Sequence, residues 1–212
     1  MIRVVLADDH RLVRAGLEQL LRGAGDLEVV GVACDGEEAV SLAAERKPDV
    51  VLMDLVMPRA DGIEATRRIR ASGPDSPAIL VLTSVSDRDT ILDALEAGAS
   101  GYLMKDAEPQ ELYDGVRAAA NGNSPLAPEA ARAMLTARAG RRVAREMTHR
   151  EREVLSLLRQ GLSNKQMARR LGISEKTVKA HLTRVFDRIG VTDRTQAALW
   201  AERHGIGTRV AA

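Results

Sequence analysis

Short apolar runs rich in Val, Ile and Leu punctuate the first half of the chain, at Ile2–Ala7, Glu28–Val32, Val50–Met53, Ala78–Thr83 and Gly101–Met104. Between them, apolar positions recur with helical spacing near 11–23, 36–46, 61–71, 87–97 and 107–120. Runs such as Val50-Val51-Leu52-Met53 have no polar alternation, as expected of strands covered on both faces. Five strands alternating with five helices predict a doubly wound, parallel α/β sheet over residues 1–120. From Met147 the strand pattern is gone. Thr148-His149-Arg150-Glu151 and Ser163-Asn164-Lys165-Gln166 each fit a capping box, Ser174 fits an N-cap, and Gly161, Gly172 and Gly190 fit helix ends. Val178, Leu182, Val185 and Ile189 form one apolar stripe, and a last helix is expected over Asp193–His204. Residues 147–212 thus read as a small all-α domain. The segment 121–146 opens on the breakers Asn121-Gly122-Asn123-Ser124-Pro125 and continues Ala/Arg-rich after Pro128, so a loop, a short helix and a tether are expected.

Charge sharpens this division. The net charge of +1 over 212 residues is a cancellation: residues 1–125 carry −9 and residues 126–212 carry +10. Such asymmetry implies a nucleic-acid or membrane partner for the basic half. No apolar run approaches the roughly 18 residues of a membrane span, and no leader pattern opens the chain, so a cytoplasmic protein is expected. Aromatic residues are 2% of the chain, which argues against recognition by rows of stacked rings. The single cysteine, Cys34, excludes an internal disulfide and any multi-cysteine metal site. The four histidines, at 10, 149, 181 and 204, show no metal-ligand spacing, although His10 adjoins the acidic positions described next.

In doubly wound sheets, ligands sit beyond the carboxyl ends of the strands. There stand Asp8 and Asp9 after the first strand, Asp54 after the third, Thr83 and Ser84 at the end of the fourth, and Lys105 after the fifth. An Asp after a strand is commonly a turn former or helix cap. Together, however, three carboxylates would repel unless a hard cation such as Mg²⁺ joined them. Mg²⁺ and a lysine clamp phosphoryl oxygens, and a carboxylate within reach can attack phosphorus.

These residues resemble the receiver domain of response regulators. Asp8-Asp9, Met53-Asp54-Leu55-Val56-Met57-Pro58, Asp61-Gly62, Thr83-Ser84 and Gly101-Tyr102-Leu103-Met104-Lys105 carry the resemblance over Ile2–Ala120. It implies a flavodoxin-like fold with Asp54 as phosphoacceptor. It also implies Mg²⁺ on Asp8, Asp9, Asp54 and the Val56 backbone carbonyl, and a switch pair of Thr83 and Tyr102. Val56 and Val85 lie two residues after Asp54 and Thr83. Neither can orient a hydrolytic water, so a slowly decaying acyl phosphate is expected.

In the basic half, a glycine turn joins two helices, the second presenting Lys176, Lys179, Ala180, Thr183, Arg184 and Asp187 opposite its apolar stripe. Such a pair suits the DNA major groove. Thr148–Ile206 resembles the LuxR/NarL (FixJ) helix-turn-helix. The strings Gly161-Leu162-Ser163-Asn164-Lys165 and Ile173-Ser174-Glu175-Lys176-Thr177-Val178-Lys179-Ala180-His181 carry it, with Met147 and Met167 where that family often has Leu and Ile. The resemblance implies base contacts from Lys179, Ala180 and Thr183, and phosphate contacts from Lys165, Lys176 and Thr177, with Arg184 on the same face. It further implies dimerisation through the last helix around Ala197, Ala198, Trp200 and Ala201, with Trp200 also fitting an anchor of the domain's own core. The implied partners are a sensor histidine kinase, promoter DNA, a second copy when phosphorylated, and RNA polymerase. A phosphatase is the enzymatic alternative, but Val56 stands where its second carboxylate would be needed. DNA binding without phosphorylation is the other, and no acidic-site residue is missing to favour it.

Overall fold

The computed structural model describes residues 1–207. Residues 208–212, the end of the expected 147–212 domain, lie outside the described residues. The chain separates into two compact units, Met1–Met134 and Leu135–Ala212.

The first unit carries a five-stranded, all-parallel sheet of β1 (Ile2–Ala7), β2 (Leu27–Ala33), β3 (Val50–Met53), β4 (Ala78–Thr83) and β5 (Gly101–Met104), in the order β2-β1-β3-β4-β5. Alternation along the strands sends Val4 and Leu6 to one face and Val5 and Ala7 to the other. Leu21 of α1 (Arg11–Gly23) and Leu112, Val116 and Ala119 of α5 (Pro109–Ala120) pack on the first face. The second face is covered by Ala39 and Ala43 of α2 (Gly36–Arg46) and by Ala65 and Ile69 of α3 (Gly62–Arg70). Ile91 and Ala94 of α4 (Arg88–Glu96) join Val81 and Tyr102 in a further cluster. The strand order reverses direction between β1 and β3, which opens a crevice at their carboxyl ends.

The expected short helix and tether are replaced by one helix, α6 (Pro128–Glu146), of 19 residues. Ala and Arg are strong helix formers, and their run outweighs the interior Gly140. A Cβ on Gly140 would meet the His204 ring, Nε2 at 2.0 Å, so a larger residue there displaces that side chain. The preceding segment adds to the sheet edge: Tyr102 N donates to Pro125 O at 2.8 Å and Ala127 N donates to Tyr102 O at 2.8 Å.

The second unit holds α7 (His149–Arg159), α8 (Asn164–Leu171), α9 (Glu175–Ile189) and α10 (Arg194–Arg203). Thr148 and Ser163 both form complete capping boxes, and Ser174 caps α9 through Thr177 N. Gly172 and Gly190 end their helices at φ of 65° and 71°, a left-handed conformation that favours glycine. Leu155, Leu158, Met167, Val178 and Val185 form the centre of the core, with Val143 and Ala144 of α6 packed against it.

Candidate functional site

The sheet crevice gathers the acidic residues as expected. Asp54 N donates to Ala7 O at 2.9 Å, which ties the end of β3 to the end of β1. Asp8 and Asp54 are almost fully buried, and Asp9 is partly exposed. Lys105 follows β5 and reaches across β4, its Nζ lying 2.6 Å from Asp54 Oδ2 and 2.7 Å from Asp8 Oδ2. Burial works against its charge, but the hydrogen bonds to Asp54 and Asp8 prevail and raise its pKa. The other carboxylate oxygens are held by backbone: Leu55 N donates to Asp54 Oδ1 at 2.7 Å, and His10 N to Asp8 Oδ1 at 2.8 Å.

Asp9 Oδ1 is buried, and His10 Nδ1 lies 2.6 Å from it. Oxygens of Asp8, Asp9 and Asp54 lie within 4.8 Å of one another. Three carboxylates gathered this closely fit a divalent cation. The approach of α3 shapes the same loop. Gly62 N donates to Leu55 O at 2.9 Å, and a Cβ there would meet Asp54 O at 2.0 Å.

Thr83 and Tyr102, the switch pair that the resemblance implies, meet at Val85, a residue noted in the sequence only for its apolar side chain. Val85 N donates to Thr83 Oγ1 at 3.3 Å, and Tyr102 Oη donates to Val85 O at 2.7 Å. Burial, with Asp87 and Asp54 nearby, pushes the Tyr102 phenol well above its usual range, so it remains a donor. Tyr102 is wholly buried, packed with Ala130 and Ala133 of α6. Pairing of backbone amides leaves no sequence signal, so this link could not be read in advance. Ser84 is exposed, and Val56 is 60% exposed.

On the second unit, Lys165 of α8 and Lys176, Thr177, Lys179, Ala180, Thr183 and Arg184 of α9 are all exposed. The Thr177 hydroxyl is shared with Ser174 Oγ at 2.8 Å, and Lys179 Nζ lies 3.7 Å from Glu175. Arg169 and Arg170, also exposed, add charge to the end of α8; the sequence reading passed over them. Arg188 instead serves structure, 3.0 Å from the buried Glu151. The expectation that Ala197 and Ala201 face a partner is corrected: both are fully buried in the domain's own core. Ala198 and Trp200 are partly buried against that core, Trp200 stacks on His204, and Leu199 is 54% exposed. The spacing of small residues on α10 marks its inward face.

Two family models match the chain: "Response regulator receiver domain" over residues 4–117 and "Bacterial regulatory proteins, luxR family" over residues 145–201. The chain belongs to the LuxR-type response regulators. The regulator is 45% identical over 208 residues to the transcriptional regulatory protein LiaR of Bacillus subtilis, spanning 96% of this chain and 98% of that one. It is 37% identical over 206 residues to the response regulator VraR of Staphylococcus aureus, with 97% and 98% covered. Among solved structures, response regulator ChrA of a haem-sensing two-component system matches at 43% identity and a TM-score of 0.55, covering 97% and 98% of the two chains. The regulator is therefore a two-component transcriptional regulator with a receiver and a LuxR-type DNA-binding domain.

Proposed function

We propose that Asp54 accepts a phosphoryl group from the phosphohistidine of a sensor kinase, and that this switches binding of the LuxR-type domain to promoter DNA. The observation that carries this reading is the Lys105 ammonium bridging Asp54 Oδ2 and Asp8 Oδ2 beside the Asp9 carboxylate. Asp54 attacks phosphorus, a P–O bond forms, the P–N bond breaks, and its electron pair leaves with the imidazole nitrogen, which takes up a proton. Lys105 stabilises the charge gathering on the phosphoryl oxygens. Asp8, Asp9, Asp54 and the Val56 carbonyl would hold Mg²⁺, which would supply further neutralisation of the phosphoryl charge. Ser84 borders the phosphoryl site.

Thr83 turns its hydroxyl toward the new phosphoryl group and so gives up Val85 N. The Val85 peptide then shifts the acceptor of the Tyr102 hydroxyl, and Tyr102 repacks against Ala130 and Ala133. Such a change biases a two-state element. Lys179, Ala180 and Thr183 read bases, while Lys165, Lys176, Thr177 and Arg184 hold phosphates. The phosphorylated form dimerises on DNA through the outward side of α10, around Leu199 with Ala198 and Trp200, and engages RNA polymerase there. The regulator works in the cytoplasm without enzymatic turnover.

Intact-protein mass measurement after incubation with Mg²⁺ and a small phosphodonor tests the first step. One added phosphoryl group, absent in Asp54→Asn, is expected. The same gain in Asp54→Asn would overturn the assignment.

A further inference from the structure

β5 lies at an edge of the sheet, and the strap that covers it, residues 125–127, is held through one strand residue. Tyr102 N donates to Pro125 O at 2.8 Å and Tyr102 O accepts from Ala127 N at 2.8 Å, a parallel bridge centred on Leu126. The pairing cannot grow. Pro125 has no N–H to extend a ladder, and Ala127 O already accepts from Ala131 N at 3.0 Å as α6 begins. The approach is close: a Cβ on Gly101 would meet Pro125 O at 2.7 Å. Past the strap, Ala130 and Ala133 of α6 are buried in one cluster with Tyr102. The Tyr102 hydroxyl donates to Val85 O at 2.7 Å, and Val85 N donates to Thr83 Oγ1 at 3.3 Å. Tyr102 therefore holds the strap by its backbone, the start of α6 by its ring and the Thr83 side of the site by its hydroxyl. Two hydrogen bonds at one residue make a segment that opens far more readily than the sheet beneath it.

We propose that residues 125–134, the strap with the first turns of α6, form a releasable element that opens when Asp54 is phosphorylated. The Val85 peptide, once it loses Thr83, withdraws the acceptor of the Tyr102 hydroxyl. A buried hydroxyl without an acceptor is costly. The ring therefore moves, and the backbone pair at Tyr102 and the packing of Ala130 and Ala133 loosen with it. The proposal rests on the phosphoacceptor reading given above.

Hydrogen–deuterium exchange of the full chain, read by mass spectrometry, tests it in the wild type, Asp54→Asn and Tyr102→Phe, with and without Mg²⁺ and a small phosphodonor. In wild type carrying one phosphoryl group, exchange over 126–134 is expected to rise about fivefold or more, the factor set by one net hydrogen bond. Exchange over β2 (Leu27–Ala33), at the far edge of the sheet, is expected to stay unchanged. Tyr102→Phe is expected to show a similar rise without phosphodonor and little further rise with it, and Asp54→Asn to show none. Phosphorylated wild type with unchanged exchange over 126–134 would overturn the proposal. So would Tyr102→Phe exchanging like unphosphorylated wild type, or a rise shared equally by β2. Failure of the wild type to gain a phosphoryl group would instead overturn the phosphoacceptor reading, and Tyr102→Phe without donor still decides whether Tyr102 holds the strap.

Discussion

At the scale of the residue, the regulator is organised by which atom each side chain engages. Lys105 joins two carboxylates from different strands, and the Val85 peptide joins Thr83 to Tyr102. The lifetime of an acyl phosphate at Asp54 depends on what can orient an attacking water. Val56 offers only an apolar, outward side chain there. The expected half-life of the wild-type acyl phosphate is minutes or longer, and a value of seconds would contradict this account. Val56→Asn places a polar group over the same loop and is expected to shorten the half-life by roughly tenfold or more. Decay of radiolabelled protein in the absence of kinase measures both.

At the scale of the element, helix ends set the geometry of both units. The start of α3 presses on the backbone of Asp54 and Leu55, which only Gly62 allows. Gly62→Ala is expected to destabilise the receiver by about 2 kcal/mol, and to lower phosphoryl acceptance, because overpacking here pushes on backbone. Denaturant unfolding and the mass assay check the two effects. In the second unit, Glu151 completes the capping box of α7. Burial alone would raise its pKa, but hydrogen bonds from Thr148 and the charges of Arg188 and His181 hold it below its usual value. A depressed carboxyl contributes stability above its unfolded pKa and loses it as pH falls through the folded one. Glu151→Gln is therefore expected to lower stability at pH 7, by about 1–2 kcal/mol, and to lose that difference near pH 3. A difference between the two proteins that does not change with pH would contradict this.

The elements were legible where one residue type dominated. Continuous Val/Ile/Leu runs located the strands, and Thr148, Ser163 and Ser174 located helix starts in the second unit. The acidic site was legible because topology brings all strand ends to one edge. The length of α6 was hidden by the interior Gly140, a weak helix former carried by its Ala and Arg neighbours. The inward direction of Ala197 and Ala201 was hidden because alanine suits a core and an interface equally. The link through Val85 is made by backbone, which no side-chain pattern encodes.

At the scale of the whole molecule, the opposed charges of the two halves assign them different partners. Phosphate contacts from exposed lysines make DNA affinity fall with salt, by a log–log slope of about −0.9 for each phosphate neutralised. Lys176→Ala is expected to flatten that slope by about 1 and to weaken all sequences alike, whereas Lys179→Ala alters the preference among sequences. Fluorescence anisotropy across a salt series separates the two. The central claim is that chemistry at Asp54 governs this DNA binding. The most direct test is promoter-DNA affinity with and without kinase or phosphodonor, in the wild type and in Asp54→Asn. Phosphodonor is expected to tighten wild-type binding and to leave Asp54→Asn unmoved. Equal stimulation of both proteins would contradict it.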